Sequence, residues 1–183
     1  KILMSYQKVG FEIKTKGGKK DDLVTTADIE ADKFIRKRLQ EEFPSDEILS
    51  EETEDTIKDY SGRVWVVDPL DGTNLYAEHK DGFCVIIGLC INGIPSLGVV
   101  YDPVNDRMYY AEKGEGAYFQ KGNVKSKLKV SDINSVSEAR AIIKPSDEGT
   151  KPYDELPELM KVREQVSGYS AGINMMKIAS GEL

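Results

Sequence analysis

The stretch FCVIIGLCINGIPSLGVVY, residues 83–101, decides the fold. Phe83 to Ile91 is a long apolar run, closed by Asn92-Gly93, the preferred pair for a two-residue hairpin turn. Pro95 to Tyr101 then pairs back. Moving outward, Asp102-Pro103-Val104-Asn105-Asp106 turns again and Arg107 to Ala111 returns, which reads as an antiparallel meander. On the N-terminal side, Arg63-Val64-Trp65-Val66-Val67-Asp68 is a near-continuous apolar run ending in an acid, as suits a buried strand. It runs straight into Pro69-Leu70-Asp71-Gly72-Thr73, a turn signal.

Further out, Glu47-Ile48-Leu49-Ser50 reads as a short strand that delivers Glu51 and Glu52. Residues Thr26 to Phe43 carry a helical stripe of Ala27, Ala31, Phe34, Ile35 and Leu39; Thr25 with Asp28 marks the start and Pro44-Ser45-Asp46 the stop. Residues 1–20 are polar and Gly/Lys-rich, and Lys14, Lys16, Gly17, Gly18, Lys19 and Lys20 read as a mobile loop. A strand is expected at Ala139–Lys144, a helix at Pro152–Val166 with proline in its first turn, and a second helix at Ala171–Ala179 capped by Gly181. The expected class is α+β. Residues 1–145 would form an N-terminal metal- and phosphate-binding domain, and 146–183 the beginning of a C-terminal α/β domain. A chain that stops directly behind a helix cap reads as incomplete, and Lys1-Ile2-Leu3-Met4 does not read as an initiator sequence.

The 183 residues are 39% hydrophobic, sufficient for one sizeable core. Charged residues make up 31% and the net charge is −7, which suits a cytoplasmic protein and argues against a nucleic-acid polymer or an anionic membrane surface as partner. The same charge would repel a phosphate ester unless bound divalent cations used the carboxylates as ligands. Cys84 and Cys90 lie on one face of one strand, roughly 20 Å apart, beyond the reach of a disulfide. They read as thiols of a reducing compartment. No stretch has the length of a membrane span and no signal peptide is visible.

The chemistry is concentrated in acids. Glu51 and Glu52 follow one strand; Asp68 and Asp71 flank a Pro-Leu turn after another. Asp-Pro and Asp-Gly are ordinary turn formers, and Glu-Glu pairs are usually solvated. Placement changes that reading, because apolar strands that end in acids, twice, leave buried charge unless a cation neutralises it. Pro69 fixes a turn from which Asp68, Asp71 and the Leu70 carbonyl can face one point, and Mg²⁺ takes such oxygen ligands. Gly72 permits close backbone approach, and a helix starting at Thr73 would present free N–H groups to a phosphate. His79 is the only histidine, which speaks against a histidine metal site or a Ser-His-Asp triad. Gly114 and Gly116 form too short a glycine motif for a nucleotide loop. Tyr109, Tyr110, Tyr118 and Phe119 read as strand packing.

At residues 65–73, Trp-Val-Val-Asp-Pro-Leu-Asp-Gly-Thr resembles the signature of the inositol monophosphatase superfamily, which also contains bisphosphate nucleotidases and fructose-1,6-bisphosphatases. Asp22-Leu23-Val24-Thr25-Thr26-Ala27-Asp28 is similar to its Asp-x-Val-Thr-x-x-Asp element, and Ser50-Glu51-Glu52 to its Gly/Ser-Glu-Glu element. Gly98 to Tyr101 with Gly114 to Tyr118, and Asn174 to Gly181, follow in family order. The resemblance implies a layered αβαβα sandwich, often homodimeric, and two or three Mg²⁺ ions. Glu51, Asp68 and the Leu70 carbonyl would hold one ion, Asp68 and Asp71 a second, and Glu51 with Glu52 a third. Asp28 and Thr73, with Glu51, would orient a metal-activated water, and Gly72 and Thr73 would bind the phosphate.

The resemblance further implies a lithium-sensitive phosphomonoesterase acting on a small phosphorylated metabolite of the inositol monophosphate type. Asn174-Met175 favours that branch; a 3′(2′),5′-bisphosphate nucleotidase is the alternative, and a catalytically incomplete metal-binding fragment another. A carboxylate-rich Ca²⁺ module fits less well, since no EF-hand spacing is present. The sequence departs from the family in three places. Trp65 is the only tryptophan, so the family's later Trp-Asp, which completes the second metal site, is missing. Leu75 stands where many inositol phosphatases have Asn. The family's loop lysine has only Lys16 as its nearest counterpart, and no substrate-selecting residue is identifiable.

Overall fold

The computed structural model describes residues 1–15, 23–142, 163–166 and 168–183. In chain order the elements are α1 (Ile2–Val9), β1 (Ile13–Thr15), β2 (Leu23–Thr25), α2 (Thr26–Glu42), β3 (Glu47–Ser50), β4 (Arg63–Asp71) and α3 (Thr73–Ala77). The meander follows as β5 (Cys84–Ile91), β6 (Ile94–Asp102), β7 (Arg107–Glu112), β8 (Gly116–Lys121) and β9 (Val124–Lys127). After a 3₁₀ turn at Val136–Glu138 come β10 (Arg140–Ile142), β11 (Glu164–Val166) and α4 (Ala171–Ala179).

Asn92 and Gly93 both take positive φ, 51° and 74°, the backbone that a two-residue hairpin turn requires. From that hairpin the meander spreads into a seven-stranded sheet in the order β3-β4-β5-β6-β7-β8-β9. Every neighbouring pair is antiparallel except β3 and β4, which run parallel. Successive side chains on β5 point to opposite faces, and this divides the core in two. Val85 faces Leu3, Ala27, Ala31, Leu70, Tyr76 and Phe83 under α1, α2 and α3. Cys84 and Ile86 face Val100, Tyr109, Phe119 and Ile173, where α4 lies on the opposite side. The class is α+β, as expected.

Helix α2 begins as its sequence requires: Thr25 Oγ1 accepts from the Ala27 and Asp28 N–H groups while Asp28 caps the Thr25 N–H, a complete capping box. Its inward stripe differs from expectation. Ala27 and Ala31 are buried, but Phe34 is 55% exposed, and the other buried residues of the helix are Asp28 and Asp32. The polar lead also differs, since residues 2–9 form a helix whose Leu3 is buried and whose Leu3 carbonyl accepts from the Tyr76 hydroxyl at 2.7 Å. Tyr76 in turn packs on Phe11 and edge-on to Phe83. Lys14 lies in β1, while Lys16 to Lys20 and Asp22 fall outside the described residues.

The helix expected at Pro152–Val166 is contradicted at its end: Glu164–Val166 is a strand, paired in parallel with β10 from Arg140↔Glu164 to Ile142↔Val166. Edge pairing with β10 overrides the local helical pattern there; residues 152–162 lie outside the described ones. Both cysteines are free, Cys84 buried and Cys90 partly so. Among the described residues no helix is long and apolar enough to cross a membrane.

Candidate active site

Strand β4 carries Asp68 and Asp71 at its C-terminal end. Its ladder with β5 is regular from Arg63 to Asp68 and then shifts between Asp68 and Asp71, where Pro69 offers no N–H to the ladder. The irregularity turns the chain, and Asp68 closes it by accepting the Leu70 N–H at 3.0 Å. Gly72 follows at φ 95°. A Cβ there would stand 2.9 Å from Ser170 Cβ and 3.3 Å from Phe83 Cα, so glycine is required both by backbone and by space. Gly72 then becomes the N-cap of α3, with Thr73 its first residue.

Thr73 Oγ1 lies 3.2 Å from Asp28 Oδ1 and 3.1 Å from the Leu70 carbonyl oxygen. One hydroxyl proton therefore serves two acceptors, and the oxygen lone pairs remain free to take a proton from elsewhere. Asp28, buried at the start of α2, also accepts from the Thr25 N–H at 2.9 Å and the Thr25 hydroxyl at 2.5 Å. Burial pushes its carboxyl above the usual range, opposed by the Thr25 and Thr73 hydrogen bonds that favour the charged form.

Glu51 follows β3 directly. Its N–H donates to the Val67 carbonyl at 3.1 Å, extending the parallel β3–β4 ladder and bringing Glu51 beside Asp68. Asp68 is pushed up to about 7 by burial first, then by the charges of Glu51 and Asp71 and a hydrogen bond to Glu51. Glu52 is partly buried and its N–H reaches Ser50 Oγ at 3.4 Å.

Asp71 is turned toward α4. Its Oδ2 accepts the Gly172 N–H at 2.5 Å and the Cys84 thiol at 3.4 Å, and its Oδ1 accepts the Ala171 N–H at 3.3 Å. A carboxylate on the first amides of a helix meets its positive end. Ser170 caps the same helix, and its own N–H donates to the Gly82 carbonyl. Helix α4 is thus fastened to the turn after β4. Burial raises the Cys84 thiol far above its ordinary range, so it is an inert wall of the site.

Among the described residues, no group of three or more His, Cys, Asp or Glu side chains is arranged as it stands to hold a metal ion. The donor set nevertheless fits one in chemistry. Asp68 is half-buried beside the charges of Glu51 and Asp71, a place where a divalent cation would offset the like charge, and Mg²⁺ takes carboxylate and carbonyl oxygens. Asp71 and the Leu70 carbonyl are engaged with protein donors and would exchange those bonds for the ion.

The residues singled out from sequence thus fall into two joined groups, Glu51–Asp68 beside Asp71, and Asp28–Thr73–Leu70. Three neighbours escaped notice: Asp32, the residue Gly172 and the thiol of Cys84. Asp32 had a signal, an acid one helical turn after Asp28; the other two had none without the fold. His79 is exposed, its Nδ1 2.5 Å from Gln7 Oε1, away from these acids.

A profile of the inositol monophosphatase family matches residues 1–183. An inositol-1-monophosphatase of Bacillus subtilis (strain 168) is 43% identical over 99 residues, 54% of this chain and 37% of that protein. The 3′(2′),5′-bisphosphate nucleotidase CysQ of Salmonella typhimurium is 33% identical over 164 residues, 88% of this chain and 64% of that protein. A solved IMPase/NADP phosphatase complexed with Mg²⁺ and phosphate superposes with a TM-score of 0.84 over 99% of this chain and 67% of that one. At 22% identity that likeness speaks for the fold alone. The chain spans between about a third and two thirds of the length of these curated relatives.

Proposed function

Since the chain belongs to the inositol monophosphatase family, we propose that it is a Mg²⁺-dependent, lithium-sensitive phosphomonoesterase that hydrolyses a small ester of the inositol monophosphate type. The observation that carries this is the placement of Glu51 beside Asp68 by the parallel β3–β4 ladder, next to the Asp28–Thr73 hydrogen bond. Glu51, Asp68, Asp71 and the Leu70 carbonyl would hold Mg²⁺, with Glu52 nearby for a looser ion. When bound, the ions would neutralise the phosphate and lower the pKa of water.

The chain's own groups do the rest. Thr73 Oγ, its proton directed to Asp28, accepts a hydrogen bond from the attacking water and fixes its direction. Asp28, raised by burial, is suited to take up the proton that Thr73 relays. The N–H groups of Gly72 and Thr73 orient the phosphate. Two free cysteines agree with a cytoplasmic setting.

A second reading, a 3′(2′),5′-bisphosphate nucleotidase, is supported by a relative of that kind, 33% identical and matching 88% of this chain. Phosphate release from inositol-1-phosphate, adenosine 3′,5′-bisphosphate and fructose-1,6-bisphosphate, with Mg²⁺ and with or without lithium, tests both. Lithium-inhibited release that Asp68→Asn abolishes supports the mechanism, and the preferred ester names the branch. Mg²⁺ binding without release from any ester would leave a catalytically incomplete metal-binding chain.

A further inference from the structure

Helix α2 buries two aspartates one turn apart. Asp28 has its part above. Asp32, 3% exposed, has none so far, and a buried carboxyl is costly unless its oxygens are bonded. Its Oδ1 accepts from Ser50 Oγ at 2.5 Å and its Oδ2 lies 3.7 Å from Arg36 Nη1. Ser50, also 3% exposed, is the last residue of β3 and immediately precedes Glu51. The same hydroxyl that donates to Asp32 accepts the Glu52 N–H at 3.4 Å. The Glu51–Glu52 segment is therefore held twice: by β4 through the Glu51 N–H on the Val67 carbonyl, and by α2 through Ser50.

We propose that Asp32 is a positioning residue for the metal centre, acting through Ser50 on the orientation of Glu51. One turn earlier, Asp28 holds Thr73 from the same helix. Helix α2 thereby sets the spacing between the two halves of the site, with Ser50, next to Glu51, on one carboxylate and Thr73 on the other. This rests on the reading of Glu51 and Asp68 as Mg²⁺ ligands.

If the Asp32–Ser50 bond were only a tertiary pin, breaking it would lower stability and leave the metal affinity of the folded protein unchanged. Mg²⁺ titration by calorimetry, paired with thermal melts in chelator, separates the two. Ser50→Ala removes the hydroxyl and Asp32→Ala removes the carboxyl oxygen that accepts from it, so each breaks the same link from one side. Both should weaken Mg²⁺ binding by about 10–100-fold, the usual effect of losing a partner that orients a metal ligand. Ser50→Thr, which restores the hydroxyl, should bind as the parent chain does. The proposal is overturned if both variants melt lower yet bind Mg²⁺ as the parent does while Asp68→Asn binds none. If Asp68→Asn also binds as the parent does, the metal-site reading itself fails, and this proposal with it.

Discussion

Replacing Asp68 by Asn should make the metal-free protein more stable and the Mg²⁺-treated protein less so. Asp68 is raised from 3.8 to about 7 in the folded chain. The folded state thus holds a proton that the unfolded state has released, and stability falls as pH rises between those two values. The penalty is absent below 3.8 and complete above about 7. A shift of about three units at 1.36 kcal/mol each gives an upper bound of about 4 kcal/mol, and roughly half of that survives solvent screening of a partly buried group. Asn can still accept the Leu70 N–H through its Oδ1, so the turn keeps its closing bond. In chelator at pH 8, Asp68→Asn should therefore melt about 4–8 °C above the parent chain, from ~2 kcal/mol at ~2–4 °C per kcal/mol. At pH 5 most of that difference should disappear. With Mg²⁺ added the order should reverse, since only the parent chain gains binding energy. Melting at or below the parent in chelator at pH 8 would refute the argument that burial, together with the charges of Glu51 and Asp71, penalises an ionised Asp68.

Further substitutions probe how the site is assembled. A Cβ on Gly172 would stand 2.7 Å from Cys84 Sγ and 3.0 Å from Asp71 Oδ2; Gly172→Ala should cost about 1–3 kcal/mol in a thermal melt, partly recovered by adding Cys84→Ala. Thr73→Ala should reduce phosphate release by about 10²–10⁴-fold with Mg²⁺ affinity unchanged by calorimetry, and Thr73→Ser should restore much of the rate. Asp46 accepts from the buried Trp65 Nε1 at 2.8 Å and from Arg63 Nε; Asp46→Ala should lower stability by about 1–3 kcal/mol and shift the emission of the lone tryptophan.

Much of the site could be read along the chain. The Asn92-Gly93 hairpin, the strand ending at Asp68 and the Thr25–Asp28 capping box are each specified within a few residues, by turn backbone, side-chain period and a local hydrogen bond. The acids Glu51, Asp68 and Asp71 stood out because apolar strands ended on them. The N-terminal helix did not, since Lys8, Gly10 and the lysines that follow masked a short apolar face whose partner, Tyr76, lies far along the chain. The strand Glu164–Val166 was read as helix because its pairing with Arg140–Ile142 leaves no local mark.

The sequence by itself determined the meander, the start of α2 and which acids stand where the apolar runs of β3 and β4 end, because those depend on interactions between near neighbours. Only the tertiary structure decided that β3 runs parallel to β4, so that Glu51 meets Asp68. It alone decided that Asp32 holds Ser50, and that Asp71 accepts from Gly172, 101 residues away. Such contacts depend on how whole elements dock, and no periodicity or turn residue near either partner encodes them.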